Sequence, residues 1–258
     1  MADRLNSLLQ NIEARHTADA PAPEPTQSAC RPDCAVCGGL GWVMRDYPIT
    51  DARFGKISPC PNADIYRIYG AKTGLDKSEM SLAWGTIKDN GNARRAARAV
   101  YDVLEQGFGM VYLWGPAGTG KTRILKTAVA QWMLTRRQPA AYAGMSDIVD
   151  YLRAAFDAEN ASDQAASRMF YYSTTPLLAI DEVDKMRGTE FASEKRFALL
   201  DRRYELAARE NGVTLMASNS NPREFLNDYI LSRLNDGRNA VIQMTGADVR
   251  PSMKNERI

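Results

Sequence analysis

The sequence predicts an α/β fold, a parallel sheet sandwiched by helices, preceded by a small cysteine-rich module. Three observations predict it. Residues 115–122 read Gly115-Pro116-Ala117-Gly118-Thr119-Gly120-Lys121-Thr122, a complete G-x-x-x-x-G-K-[ST] phosphate-binding loop. It lies between an apolar run, Met110–Trp114, and a helix-compatible stretch, Ile124–Leu134, and such a loop works only between a strand and a helix. From there to residue 244, short apolar runs alternate with helical periodicity, the mark of a parallel sheet. All four cysteines fall within residues 30–60, a clustering that reads as metal before disulfide in a reducing compartment.

Composition narrows the class. The 258 residues are 45% hydrophobic and 25% charged, as in an ordinary soluble protein with one large domain and an appendage. A formal charge of +2 leaves any nucleic-acid contact to a local patch. No apolar stretch approaches the roughly 20 residues that span a bilayer, so no membrane partner is expected. The start, Met1-Ala2-Asp3-Arg4, lacks the charged-then-apolar order of a secretory signal, and a cytoplasmic location is the expectation.

Taken in order, Leu5, Leu8, Leu9 and Ile12 place one apolar stripe on a short helix, followed by a Pro- and Ala-rich linker over residues 17–28. So short a helix is stable only when docked, on a partner or on its own core. Residues 1–29 are this helix and linker, 30–70 the cysteine module, 71–251 the α/β domain and 252–258 a tail. Residues 64–108 read as mainly helical, with Asn92–Glu105 the clearest segment and Gly107 and Gly109 stopping it. Strands are predicted at Val111–Trp114, Ala140–Ala143, Leu177–Ile180, Val213–Ala217 and Val241–Met244. Helices fall near 122–135, 146–157, 162–172, 190–210 and 227–236. In the longest, Phe197, Leu200, Tyr204 and Ala207 form the expected core face.

The loop implies nucleoside triphosphate. Its glycines let successive backbone N–H groups curl around an anion, and the following helix N-terminus adds partial positive charge. Lys121 is placed to reach the β- and γ-phosphates, and the Thr122 hydroxyl to help hold Mg²⁺. Pro176–Glu182 is an apolar strand ending in two carboxylates, about 60 residues after the loop. That arrangement gives the metal shell to Asp181 and makes Glu182 the general base or water-positioning group. Val213–Asn219 is a second such strand, and Asn219 is either a γ-phosphate or water contact or a turn residue before Pro222. Arg233, in Leu231-Ser232-Arg233-Leu234, is either a surface charge or an arginine finger reaching a neighbouring subunit's nucleotide.

In order and spacing, Gly115–Thr122, Leu177–Glu182, Leu215–Asn219 and Ser232-Arg233 resemble the Walker A, Walker B, sensor-1 and box VII elements of an AAA+ ATPase. The group most similar in these motifs is that of the DnaC, DnaI and IstB proteins, helicase loaders and transposition ATPases. Asp181–Lys185, Leu200–Tyr204 and Gly246–Pro251 fit it too, so the resemblance covers roughly residues 80–251. It implies an AAA+ P-loop core with no C-terminal helical lid, since 21 residues follow Gly237. It also implies ATP and Mg²⁺ as ligands, a replicative helicase and single-stranded DNA as partners, and self-assembly with Arg233 acting in trans.

Cys30, Cys34, Cys37 and Cys60 supply four thiolates, enough for a tetrahedral, structural zinc (Zn²⁺) site with no open position. Cys34–Gly39 resembles a zinc knuckle, and Cys37–Trp42 through Pro61 resembles the N-terminal zinc modules of phage and Gram-positive helicase loaders. Those modules close with a second paired cysteine, and Ala63 stands there instead. Either Cys30 completes the set or the site is degenerate, with the lone His16 a distant alternative across the linker.

Arg94, Arg95 and Arg98 share one helix, and Lys195, Arg196, Arg202 and Arg203 another, the second set offset by Glu190, Glu194, Asp201 and Glu205. No DNA-contacting residue is assigned from these runs. The leading expectation is an ATP-dependent replicative helicase loader of a phage or mobile element, with an IstB-like transposition regulator next to it. A small-molecule kinase is disfavoured by Asn219, Arg233 and the lack of an acceptor lid, and a non-hydrolysing nucleotide-switched adaptor by the intact Glu182.

Overall fold

The computed structural model describes residues 28–51, 53–154, 161–186 and 188–249. The stripe of Leu5, Leu8, Leu9 and Ile12, His16, most of the linker, and residues 250–258 lie outside the described residues. The chain divides into two compact units between Ala63 and Asp64, earlier than the boundary drawn at residue 70. The reason is local. Asp64 caps the helix α1 (Ile65–Thr73) by accepting from the Tyr66 and Arg67 N–H groups, and Ile65 is buried in the core of the second unit.

In the first unit, β1 (Trp42–Met44) pairs antiparallel with β2 (Ile57–Pro59), Trp42 opposite Pro59 and Met44 opposite Ile57. The Cys60 N–H donates to the Gly41 carbonyl (2.8 Å), returning the chain to the earlier cysteines. At Gly39, φ is +88° and a Cβ would lie 3.0 Å from Pro32 backbone, so only glycine makes this turn without strain.

The second unit continues through two short 3₁₀ turns (77–81 and 84–86) to α2 (Ala93–Gln106) and β3 (Phe108–Trp114). Then come α3 (Lys121–Arg136), β4 (Ala140–Gly144), α4 (Met145–Ala154), α5 (Ala161–Thr174), β5 (Leu177–Asp181), α6 (Glu190–Ala208), β6 (Gly212–Ser218), α7 (Asp228–Leu234) and β7 (Ala240–Gln243). The five strands form one parallel sheet in the order β4-β5-β6-β3-β7. Among the described residues no helix follows β7.

Each central strand is covered on both faces, which is why it reads as a continuous apolar run. Val111, Leu113, Leu177, Ala179 and Leu215 pack with α2 and α3, while Met110, Tyr112, Leu178, Ile180 and Met216 pack with α4, α6 and α7. Gly107, with φ +87°, ends α2 as its sequence position suggested.

Helix α6 corrects two expectations. Its buried residues are Ala192, Leu199, Leu200, Arg203 and Ala207, whereas Phe197 is 37% exposed and Tyr204 half-buried. Arg203 belongs to no charged face, because it is fully buried. It donates to Thr214 Oγ1 (2.8 Å), to the Thr175 and Ser173 carbonyls (2.6 and 3.3 Å) and to the Val213 carbonyl. A guanidinium has enough donors to satisfy all of them at once, and that outweighs its burial. Burial pushes its pKa down to about 9, still above neutrality.

Candidate functional site

The C-terminal ends of β3, β5 and β6 open onto a cavity of about 640 Å³, where a parallel sheet places its ligand. Ala117, Gly118, Gly120, Lys121 and Thr122 line it, with Asp181, Glu182, Asn219, Lys185 and Val249. Gly120, in a left-handed conformation, hands the chain from loop to helix so that α3 begins at Lys121. Lys121 is buried and donates to the Gly115 and Pro116 carbonyls (2.7 and 2.8 Å), while Thr119 Oγ1 also donates to Pro116 O (2.9 Å). Gly115, Pro116 and Thr119 therefore shape the loop from behind.

The buried Asp181 carboxylate is the centre of the polar network. Its Oδ2 accepts from Thr122 Oγ1 (2.7 Å) and from the Tyr142 hydroxyl (2.9 Å), and its Oδ1 from the Glu182 N–H (2.9 Å). The hydroxyl and carboxylate predicted to share a metal are thus adjacent, an oxygen donor set suited to magnesium. Burial and the neighbouring Asp181 charge raise the Tyr142 pKa, so its hydroxyl stays a donor.

Glu182 has φ +52°, a left-handed conformation uncommon outside glycine. Bonds on either side hold it there: Val183 N–H to Ala217 O (2.9 Å) and Lys185 N–H to Glu182 O (2.8 Å). The turn directs the Glu182 carboxylate into the cavity, where Lys185 pairs with it at 2.6 Å and has its own pKa raised. Asn219 lines the same cavity, and its N–H and that of Ser220 donate to Asp184 Oδ2 (3.1 and 2.9 Å). Asp184 so ties the carboxylate strand to the sensor strand.

Tyr142 and Asp184 are the residues that sequence reasoning missed. Asp184 was visible only as part of the Asp181–Lys185 motif. Tyr142 carries no signal beyond its place near the end of a predicted strand. The segment after β7 also joins the site. Ala247 N–H and Thr245 N–H donate to the Asn90 and Asn92 side chains (3.1 and 2.8 Å), and Val249 N–H donates to Gly118 O (3.1 Å). Asp248 lies so close to Gly118 that a Cβ there would be 1.9 Å from its carboxylate.

Arg233 is not among the residues lining this cavity. Its guanidinium sits 4.5 Å from the Tyr204 ring centroid and 4.1 Å from that of Tyr229, and it bonds Asp201 and the Tyr229 hydroxyl. Of the basic runs, Arg94, Arg95, Arg98 and Arg202 are exposed, while Arg196 is tied to Phe225 O (2.9 Å) and Lys195 to Glu194 (2.8 Å).

In the first unit, Cys30, Cys34, Cys37 and Cys60 are all buried, their sulfurs within 4.8 Å of one another. The Cys34–Cys60 and Cys30–Cys60 separations are 3.8 and 4.0 Å. A tetrahedron of bonds of about 2.3 Å gives sulfur–sulfur edges near 3.8 Å, so the set fits zinc. The Gly41 N–H and the Asn62 side-chain amide point at Cys37 and Cys34 Sγ (3.3 and 3.5 Å), as outer hydrogen bonds to thiolates do. Asn62 foremost lowers the Cys34 pKa to about 6, while burial raises that of Cys30 to about 12. Cys30, not Ala63, completes the set.

Comparison with known proteins places this architecture. The chromosomal replication initiator DnaA of Ralstonia nicotianae is 27% identical over 212 residues, 79% of this chain and 38% of its own length. DnaA of Burkholderia multivorans is 27% identical over 173 residues, 64% of this chain and 30% of its own. The chain thus spans well under half the length of these curated relatives. AMPPCP-bound DnaA from Aquifex aeolicus superimposes with a TM-score of 0.54 at 20% identity, over 64% of this chain and 50% of that one. The DnaC helicase loader superimposes with a TM-score of 0.53 at 15% identity, over 66% of this chain and 100% of that one. At these identities the structural likeness is one of fold, the AAA+ P-loop core. The family model of the bacterial DnaA ATPase domain matches residues 84–240, more than half of the sequence, and the chain belongs to that family.

Proposed function

We propose that this protein is an oligomeric ATPase of DNA replication that loads a replicative helicase onto single-stranded DNA. The observation that carries the reading is the Thr122–Asp181–Tyr142 cluster beside Lys121 in a cavity large enough for a nucleotide. The match to the DnaA ATPase domain supports a role in replication. The fold correspondence over the whole of the DnaC loader, and the cysteine cluster, favour the loader over the initiator.

In this reading ATP lies along Gly115–Thr122, with Lys121 exchanging its carbonyl partners for phosphate oxygens. Thr122 and Asp181 hold Mg²⁺, which supplies charge neutralisation at the phosphates. Glu182, once parted from Lys185, orients the attacking water and accepts its proton. Asn219 contacts the γ-phosphate or that water. Arg233 leaves its tyrosine cage to serve a neighbouring subunit's site. The four cysteines hold a structural zinc. The curated relatives favour a second reading, an initiator that assembles on DNA without delivering a helicase.

The test is ATPase activity with and without single-stranded DNA, followed by deposition of the host's replicative helicase on a single-stranded circle. DNA-stimulated turnover with ATP-dependent deposition is expected. Turnover without deposition selects the initiator, and turnover indifferent to DNA sinks both readings.

A further inference from the structure

A second cavity, about 420 Å³ and separate from the nucleotide site, lies between the 3₁₀ turn at 84–86 and helix α2. Trp84, Gly85, Ile87, Ala97 and Tyr101 line it, with Arg94 and Arg98 at its rim. The Trp84 and Tyr101 rings meet edge to face, centroids 5.9 Å apart and planes at 86°, forming an aromatic corner. The Arg98 guanidinium lies 5.5 Å from the Tyr101 ring centroid.

We infer that this notch takes a base of single-stranded nucleic acid, stacked in the aromatic corner, with Arg94 and Arg98 on the flanking phosphates. The inference rests on the single-strand reading above and assigns it a surface. Three features point to nucleic acid over peptide. The lining carries two cations and no carboxylate. It offers no amide, carboxylate or strand edge that would pair with a peptide backbone. Aromatic faces and guanidinium groups together bind unpaired bases without reading sequence. The cavity volume also falls in the range of small-ligand sites.

The arginines are available for exchange. Arg94 pairs with Asp89 at 3.5 Å and Arg98 with Asp102 at 2.9 Å, their side chains 70% and 73% exposed, so solvent already screens both pairs. Arg95 adds a third exposed cation to the same helix. The other aromatic–cation cluster, Tyr151, Arg168 and Tyr172, is closed on itself: Arg168 covers the Tyr151 ring at 3.9 Å and bonds the Tyr151 carbonyl.

The experiment measures binding of a fluorescein-labelled oligothymidylate to the full chain across a salt series. The double variant Arg94→Glu/Arg98→Glu should weaken binding at least tenfold near 0.1 M salt. It should also lower the salt slope by about two, one for each lost phosphate contact. Tyr101→Ala should weaken it severalfold with the slope unchanged, the signature of lost stacking. ATP affinity should stay the same in all variants, which shows that they fold. Wild-type binding with both variants unaffected overturns this assignment alone, and loss in Arg168→Glu instead moves the contact to that face. If the wild-type chain binds no oligonucleotide, the single-strand part of the proposed function falls as well. Loss of helicase capture by the arginine variant with DNA binding intact makes the notch a protein surface and also overturns the assignment.

Discussion

In the unit ending at Ala63, the described large apolar side chains face outward. Leu40, Met44, Ile49 and Ile57 are 66–80% exposed, and the buried positions are the four cysteines with Gly41, Pro59 and Ala63. In the unit beginning at Asp64, two clusters of aliphatic and aromatic residues fill both faces of the sheet. A fold of the first kind has almost no apolar core, so a metal must supply what burial cannot. A fold of the second kind stands on burial and can spend its polar groups on a site. Both units bury polar or ionisable groups, but in one the thiolates are the scaffold and in the other Asp181 and Lys121 are the working parts.

The sharpest way to break that comparison is to remove metal. Chelation, or Cys34→Ser, should unfold the first unit, since zinc contributes ~10–16 kcal/mol in finger peptides, and leave the second intact. Limited proteolysis and circular dichroism would show it. Elemental analysis should find about one zinc per chain, and a folded, metal-free first unit sinks the claim.

Within the second unit, Glu182→Gln should keep ATP affinity and lower turnover about 10²–10⁴-fold, the usual contribution of a positioned base. Lys121→Ala should lose binding itself. Wild-type turnover by Glu182→Gln would remove the catalytic assignment. Arg233→Ala should lose activity only at concentrations that permit assembly. Mixing it with Glu182→Gln should restore activity, because one interface then holds an intact finger and an intact carboxylate. No restoration in co-assembled mixtures means that Arg233 does not act in trans.

Arg203→Met sharpens the comparison from the other side. It leaves the Thr175 and Val213 carbonyls buried without their donor and should cost about 3 kcal/mol. Chemical denaturation should show the loss in the second unit and none in the first. The smallest effect is expected of Tyr142→Phe. With one of its donors gone, Asp181 should need severalfold more magnesium for half-maximal turnover, at unchanged nucleotide affinity without magnesium. An unaltered magnesium titration would reduce Tyr142 to a packing residue.

The sheet and the nucleotide loop were legible in the sequence because both are local. A strand covered on two faces has to be a short apolar run, and the phosphate loop needs glycines at set spacings wherever it occurs. All five strands accordingly fall where the runs do, and the P-loop, Asp181, Glu182 and Asn219 meet at one cavity. Cysteine spacing likewise announced a metal-like cluster.

The tertiary structure decided what depends on chains meeting from far apart. Which face of α6 turns inward is set by the sheet beneath it, so a periodicity that began at Phe197 missed the buried Arg203. Tyr142 joins Asp181 only because β4 lies beside β5, and Asp184 holds Asn219 only because Val183 pairs with Ala217. Cys30 closes the thiolate set because β2 returns Cys60 to the Gly41 turn. Spacing along a chain encodes local geometry, and these contacts are products of register and crossover.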